Sequence, residues 1–504
     1  MKIKKLIYTS AATLLLALPS CEKWLDINHN PNNPETVAAQ SLVAGAEMIA
    51  GYNQMAWECL FIDGVWNQYF TQKQTASQFK TAEQYYAQEF SYYYANSESA
   101  LLSLKTINNS VEENSGYKFL SEVLSIYIWQ NMVDTWGDIP YSEALNDEIT
   151  SPRFDAATDI YKDLLSRIDM AITNYENDVY NGESINENND FIFEGDIEQW
   201  YKFANSLKLK LNLRLSEYSE LGMTMAEMLS FISDESKFLT EDNAQISSNI
   251  WQTKSSKQYP LDEYENGSFA KTNIVASKTF TEYTNLGDDP RAKKIFSAVN
   301  GKIEGALQGD YQNQTQGNVS ALNKNELVKN IPLISTWEVY FNFAEIYAEN
   351  EDLANAKTAY ENAVKQSLDY WGISDYSILT NANYASWDDI ATDKNNALRL
   401  IGLQRWVAFA MTQHNEAFFT RNRTKYPALS SITPSDKTRD ELKANFPAGN
   451  FIISFAGVET YAGEMPASAV YPLNTVLARN INAPSQKSNV TVKIFWDTKQ
   501  TIKE

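Results

Sequence analysis

The chain has 504 residues, 43% hydrophobic and 21% charged, with 64 acidic against 42 basic side chains and a formal charge of −22. A polyanion is repelled by such a surface, so nucleic acid and acidic membrane surfaces are poor partners. Two cysteines and two histidines exclude a disulfide framework and supply too few nitrogen and sulfur ligands for a structural zinc site.

Residues 1–20 carry Lys2, Lys4 and Lys5 ahead of the apolar run LIYTSAATLLLAL, which is too short to span a bilayer and reads as an export signal. The run ends in Leu18-Pro19-Ser20-Cys21, the pattern that lipoprotein processing requires, so Cys21 is the expected lipid attachment and the only expected membrane contact. Cleavage deletes three lysines and no acids and takes the formal charge from −22 to −25. Cys59 is left without an obvious mate. Next comes the densest mixture of aromatic and amide side chains: Trp66-Asn67-Gln68-Tyr69-Phe70, then Gln72, Gln74, Gln78 and Tyr85-Tyr86. A sugar presents an apolar face ringed by hydroxyls, and flat rings beside amides match it. Trp66, Asn67, Tyr69, Gln72, Tyr85 and Tyr86 are therefore candidate ligand contacts. The competing expectation is that Trp66, Tyr69 and Phe70 pack in the first helix pair and residues 85–94 merely cover it, the commoner fate of large aromatics.

Apolar residues then recur at helical spacing. Leu120, Val123, Leu124, Tyr127, Ile128 and Met132 share one face of a helix expected over 117–136, which Gly137 ends and Pro140 prevents from continuing. Ala157, Tyr161 and Leu164 mark a second helix, and Trp200, Phe203, Ala204, Leu207 and Leu211 a third. In residues 336–368, Tyr340, Ala344, Tyr347, Ala356, Tyr360 and Ala363 fall at the spacings of a tetratricopeptide helix pair, with small residues allowing close approach and tyrosines filling the space between hairpins. Between these lie Asn-, Gly-, Ser- and Asp-rich stretches at 178–190, 240–273, 299–325 and 430–470, expected as loops, with short strands at 451–455 and 490–496. The asparagine-rich 186–190 lacks the spaced acids of a calcium loop and is expected to be a flexible loop. His414 is expected to be packed or on a helix surface, not catalytic, and His29 to be turn material. The fold class is mainly all-α: tetratricopeptide-like hairpins with long loop insertions. After the signal at 1–20, residues 21–504 are expected to form one domain, its helical base drawn from about 40–235 and 330–425 and its loop-rich lobe from about 240–325 and 425–504.

Several segments, in order, resemble those of the SusD/RagB-like lipoproteins of Bacteroidetes-type bacteria: WLDINHNPNNP after the lipid cysteine, WGDIPYSEA, QWYKFANSLKLKLNLRLS, DDPR followed by Phe296, IGLQRWVAF, RNRTKYP, and a closing Met465-Pro466 and Tyr471-Pro472. The closing segment departs from the pattern, holding Ala467, Ser468 and Thr475 where the family carries a basic residue and an acid. The resemblance implies a lipid-anchored outer-membrane protein, exposed at the cell surface, that sits over a SusC-like TonB-dependent transporter and captures an oligosaccharide or, in some members, peptides. It also implies binding aromatics from the early region and from a mid-chain loop, which adds Trp251 and Tyr259 as candidates.

No phosphate loop, Gly-x-Ser-x-Gly or His-Glu-x-x-His occurs, and no enzyme, cofactor or metal is expected. A carboxylate-pair glycosidase escapes such a search. Three readings stand: a glycan-binding lipoprotein, with peptide capture as its nearest rival; a secreted glycoside hydrolase; and a tetratricopeptide scaffold that binds only protein.

Overall fold

The structure is a computed structural model that describes residues 40–72, 89–218, 220–252, 258–262, 274–310, 318–434, 437–460 and 463–504. Its first five long helices run consecutively: α1 (Ser41–Met55), α2 (Ser91–Ser110), α3 (Gly116–Trp136), α4 (Ala157–Glu176) and α5 (Ile197–Arg214). Each packs on the next, making a row of antiparallel hairpins. Local chemistry sets their ends. The Ser115 hydroxyl accepts the Tyr117 N–H at the start of α3, and Gly137, at φ 79°, closes it. Both are the stop and start signals expected of these residue types. The Asp196 carboxylate caps α5 through the Glu198 and Gln199 N–H groups.

After two short helices, α6 (Lys278–Leu286) and α7 (Pro290–Ile295), a second helical block begins with α8 (Thr336–Glu349) and α9 (Leu353–Tyr370), followed by α10 (Lys394–Phe409) and α11 (His414–Thr424). Pair α8–α9 is the tetratricopeptide hairpin that the spacing predicts, and α10 packs across both of its helices. Ala344, Ala356 and Ala363 are fully buried at the close approach, as the small-residue positions require. Tyr360 is buried against Phe341 and Trp387. Tyr347 is only half-buried, so it lies at the rim of the hairpin where a filling position was expected.

The two helical blocks are joined through buried charge. Lys210 Nζ lies 3.1 Å from Glu338 and 2.8 Å from Glu416. Arg214 bridges Glu416 at 2.8 Å and Asp134 at 3.0 Å. The Trp496 indole donates to Asp134 at 2.8 Å, bringing the C-terminal stretch into the same knot. Burial alone would raise the Glu416 carboxyl; Arg214 and Lys210 outweigh it and hold the group below the ordinary carboxylate range.

Strands are few and short: β1 (Phe70–Gln72), β2 (Ile139–Pro140), β3 (Phe154–Asp155), β4 (Ala244–Ile246), β5 (Ile274–Ala276) and β6 (Ile331–Ile334), paired antiparallel as β1–β5, β2–β3 and β4–β6. The strand expected at 490–496 does not form. Asn489 Oδ1 accepts the Thr491 N–H at 2.8 Å, a local turn that competes with a ladder, while Val490, Ile494 and Trp496 are buried from a run of turns. Of 451–455, Phe451 alone makes a bridge, to Leu429. Asp190, at the end of the loop over 186–190, has a carboxylate that accepts the N–H groups of Ile192, Phe193 and Gly195 and the Trp200 indole. That carboxylate organises the turn that leads from this loop into α5.

Candidate functional site

Strand β1 ends the early aromatic and amide segment, and it pairs with β5 in the register Phe70–Ala276, Thr71–Val275 and Gln72–Ile274. This pairing brings the early segment to the mid-chain. The C-terminal stretch reaches the same place: Gln68 donates from Nε2 to the Ile452 carbonyl at 2.6 Å, and its Oε1 accepts the Thr279 hydroxyl at 2.6 Å. Gln308 donates to the Val65 carbonyl at 3.0 Å. Arg439 grips Asp310 through Nε at 2.8 Å and Nη2 at 2.7 Å. Residues 64–72, 274–310 and 439–466 thus meet at one pole of the molecule. Between them lies a cleft lined by Trp66, Gln68, Gln308, Ser454, Glu464 and Met465, with about 20 Å³ of free space, enough for a water and not for a sugar ring.

The candidate residues take up different positions around this pole. Trp66 is 5% exposed, between Phe90 and Phe418. Asn67 donates to the His414 carbonyl at 2.8 Å and receives, on its own carbonyl, the Trp406 indole at 2.9 Å. Tyr69 is fully buried; its hydroxyl donates to the Trp406 carbonyl at 2.7 Å and its ring stacks on Trp406 at 5.7 Å. Trp66 and Tyr69 are thus packed among other rings, and Asn67 is held through both its side chain and its carbonyl. Gln72 is described in backbone only, as the last residue of β1, and Tyr85, Tyr86 and Cys21 lie outside the described residues. Trp251 and Tyr259 sit apart from the pole. Trp251 is half-buried, donates to the Lys329 carbonyl at 2.9 Å and meets the edge of Tyr259 at 6.1 Å. Tyr259 is 2% exposed, beneath the Lys329 ammonium.

The titratable groups near the pole are structural. His414 is fully buried; its Nε2 accepts the Met411 N–H at 2.9 Å, so Nδ1 carries the proton and donates to the Leu60 carbonyl at 2.9 Å. Burial lowers its pKa to about 4, keeping it neutral. This is the packed histidine that sequence reasoning allows. The Cys59 thiol is free and pushed up by burial, hence inert. Sequence reasoning passed over Glu58. Helix α2 begins after Phe90, which is at φ 49° and offers no side-chain cap; Glu58 supplies the cap from outside, accepting the Tyr92 and Tyr93 N–H groups at 3.0 and 2.7 Å. Burial pushes its pKa up to about 7 against those two hydrogen bonds. A carboxyl raised in the folded state contributes stability that is complete below the unfolded value of about 4.3 and is lost as pH rises through about 7. Wild-type protein is therefore expected to lose on the order of 2–3 kcal/mol between pH 5 and pH 8 from this group. Glu58→Gln should flatten that slope in urea titrations at the two pH values.

The fold and this loop-bearing pole define a class, helical-hairpin proteins wrapped by long insertions. The sequence profile of the SusD-like proteins described as "Starch-binding associating with outer membrane" matches residues 31–446, and the chain belongs to that family. Solved structures agree in fold. A SusD homologue from Bacteroides fragilis superposes with a TM-score of 0.68 at 18% identity, covering 92% of this chain and 100% of that one. A chitin-binding SusD homologue from Flavobacterium johnsoniae gives 0.67 at 19%, covering 92% and 99%. A SusD-like protein from Bacteroides thetaiotaomicron gives 0.66 at 17%, again over 92% and 99%. No curated sequence matches. The protein is thus a SusD-like protein, of a family described as starch-binding and associated with the outer membrane.

Proposed function

We propose that the protein, anchored at the cell surface by lipid on Cys21, captures an oligosaccharide at the loop-rich pole and passes it to a SusC-like TonB-dependent transporter. The observation that carries this reading is the β1–β5 ladder, because it anchors the early aromatic and amide segment beside the mid-chain insertion in a family described as starch-binding. The chitin-binding relative supports a glycan as the ligand class. Trp66, Asn67 and Tyr69 then form the rigid backing of the pole, while Gln72, Tyr85 and Tyr86 are the proposed ligand contacts, on the chemistry of their side chains alone. Trp251, half-buried, and Tyr259 beneath it are second candidates for ligand contact.

Titration calorimetry with α-glucan, chitin, xylan and mannan oligosaccharides, and with mixed peptides, is the test. Binding of one glycan class without product release, weakened on the order of tenfold by Tyr85→Ala with Tyr86→Ala, is expected. Stacking on a ring commonly accounts for such a loss. Preferential binding of the peptides would shift the reading to its nearest rival.

A further inference from the structure

Away from the pole, the helical base carries a groove that the capture reading does not use. Its floor is α3, its walls are α2 and α4, and the stretch 141–145 closes one end. Two basins, each with about 210 Å³ of free space, run into one another through the shared residues Asn108, Glu122 and Arg167. Together they reach the size range of small-molecule sites, about 300–1,000 Å³. That is far roomier than the cleft at the pole.

Most of the groove's charges are paired with one another. Arg167 holds Glu122 through Nε at 2.6 Å and Nη2 at 3.1 Å, the Tyr141 hydroxyl at 2.6 Å and the Ser125 hydroxyl at 2.8 Å. Lys118 pairs with Glu113 at 2.9 Å and donates to the Asn108 carbonyl at 2.8 Å. Lys105 donates to the Leu145 carbonyl at 2.6 Å. An anionic or cationic ligand would have to break these pairs, at a cost that a neutral one avoids. Two polar atoms are left over. Ser121 Oγ, on a residue 1% exposed, and Asn108 Oδ1 are buried and have no hydrogen-bond partner among the described residues. A buried polar atom without a partner is a standing cost, which a ligand hydroxyl that reaches it relieves. Beside them, the half-buried Tyr141 packs against the edge of Trp129, itself 6% exposed, at 4.9 Å, and Met170, 61% exposed, forms the outer rim. The Tyr141 ring, hydroxyl and amide groups, and charges that apart from Lys105 are held in ion pairs make a surface that matches an alternately apolar and hydroxylated chain.

The geometry points to a second carbohydrate site on the helical base, in the groove over α3, that takes a neutral, hydroxyl-rich segment of glycan independently of the pole. Its ligand class follows from the groove itself. That it holds the same polymer as the pole rests on the function proposed above. A long polymer engaging both sites gains from effective concentration without any new contact.

Affinity electrophoresis of the purified full-length protein through gels containing amylopectin, glycol chitin, xylan, mannan or β-glucan tests this. Asn108→Leu with Ser121→Val removes both unpartnered atoms, and Met170→Arg, at the exposed rim, obstructs the second basin without touching the core; melting temperatures verify folding. With a polymer that retards the wild type, each groove variant should bind about five- to tenfold more weakly. Tyr85→Ala with Tyr86→Ala should leave a residual retardation that the groove changes remove. Unchanged retardation in both groove variants would overturn the second site. So would complete loss in the Tyr85 and Tyr86 variant alone, an outcome under which the function proposed for the pole stands. Retardation by none of the polymers overturns both.

Discussion

Replacing Glu345 by alanine is expected to cost the folded protein about 3–5 kcal/mol, because it leaves two buried guanidinium groups facing each other without an anion. The carboxylate is 4% exposed and accepts Arg405 Nη1 at 2.8 Å, Arg423 Nη1 at 2.5 Å and Arg423 Nη2 at 2.8 Å. Burial would raise its pKa; Arg423 and Arg405 overcome that and hold it well below the usual carboxylate range. A carboxyl depressed in the folded state gives stability that is present above the unfolded value, about 4.3, and disappears as pH falls toward the folded value. The gap between wild type and Glu345→Ala in urea unfolding should accordingly be full at pH 7 and narrow below about pH 4. Converting all three groups to apolar residues of similar size should recover most of the loss, since burying the charges was itself expensive. A Glu345→Ala protein with an unchanged urea midpoint at pH 7 would show that water reaches the cluster and that the ion pairs do not hold α8 to α10 and α11.

The same cluster explains why the fold was legible. Glu345 belongs to the tetratricopeptide-like stretch, Arg405 to IGLQRWVAF and Arg423 to RNRTKYP, so two of the segments that carry the family resemblance meet that stretch at one carboxylate. The others behave alike. Trp136 of WGDIPYSEA donates to the Val470 carbonyl at 3.2 Å, and Asp138 accepts the Ala157 N–H at 2.8 Å to start α4. Asp289 and Arg291 of DDPR form a buried pair at 2.6 Å that also reaches Gln404. Gly402 lets Tyr426 approach so closely that an added Cβ would come within 2.4 Å of it. These segments are recognisable because each residue type is fixed by packing or by an ion partner. A ligand site imposes no such periodicity or internal pairing. Trp66, Tyr69 and Tyr259 look like sugar platforms in one dimension and are core in three, since nothing in local sequence says which way an aromatic side chain points. The groove over α3 was missed for the opposite reason: its residues lie between helices and off the faces that carried the helical signal, and Ser121 and Asn108 stand out only once their lack of partners is visible.

Trp406 to alanine is the second large effect expected, about 3–5 kcal/mol for loss of a buried indole and the cavity it leaves, and with it the tie between the helical base and the pole. Trp406 is 3% exposed, stacks on Tyr69, meets Phe280 and Phe451 edge-on, and donates to the Asn67 carbonyl, while its own carbonyl accepts the Tyr69 hydroxyl. Segment 67–70 is thus fixed to α10 from both sides. Tyr69→Phe removes only the hydroxyl, and because that leaves one buried carbonyl short of a donor it should cost about 1 kcal/mol. The pair of variants separates framework from ligand contact at the pole. If Tyr69 acts as backing, Tyr69→Phe lowers the urea midpoint slightly and leaves glycan affinity in calorimetry unchanged, whereas Trp406→Ala loses stability first and affinity only as a consequence, with the affinity restored wherever the protein remains folded. Should Tyr69→Phe instead abolish glycan binding at full stability, the Tyr69 hydroxyl must leave the Trp406 carbonyl for the ligand, and the early segment must rearrange on binding.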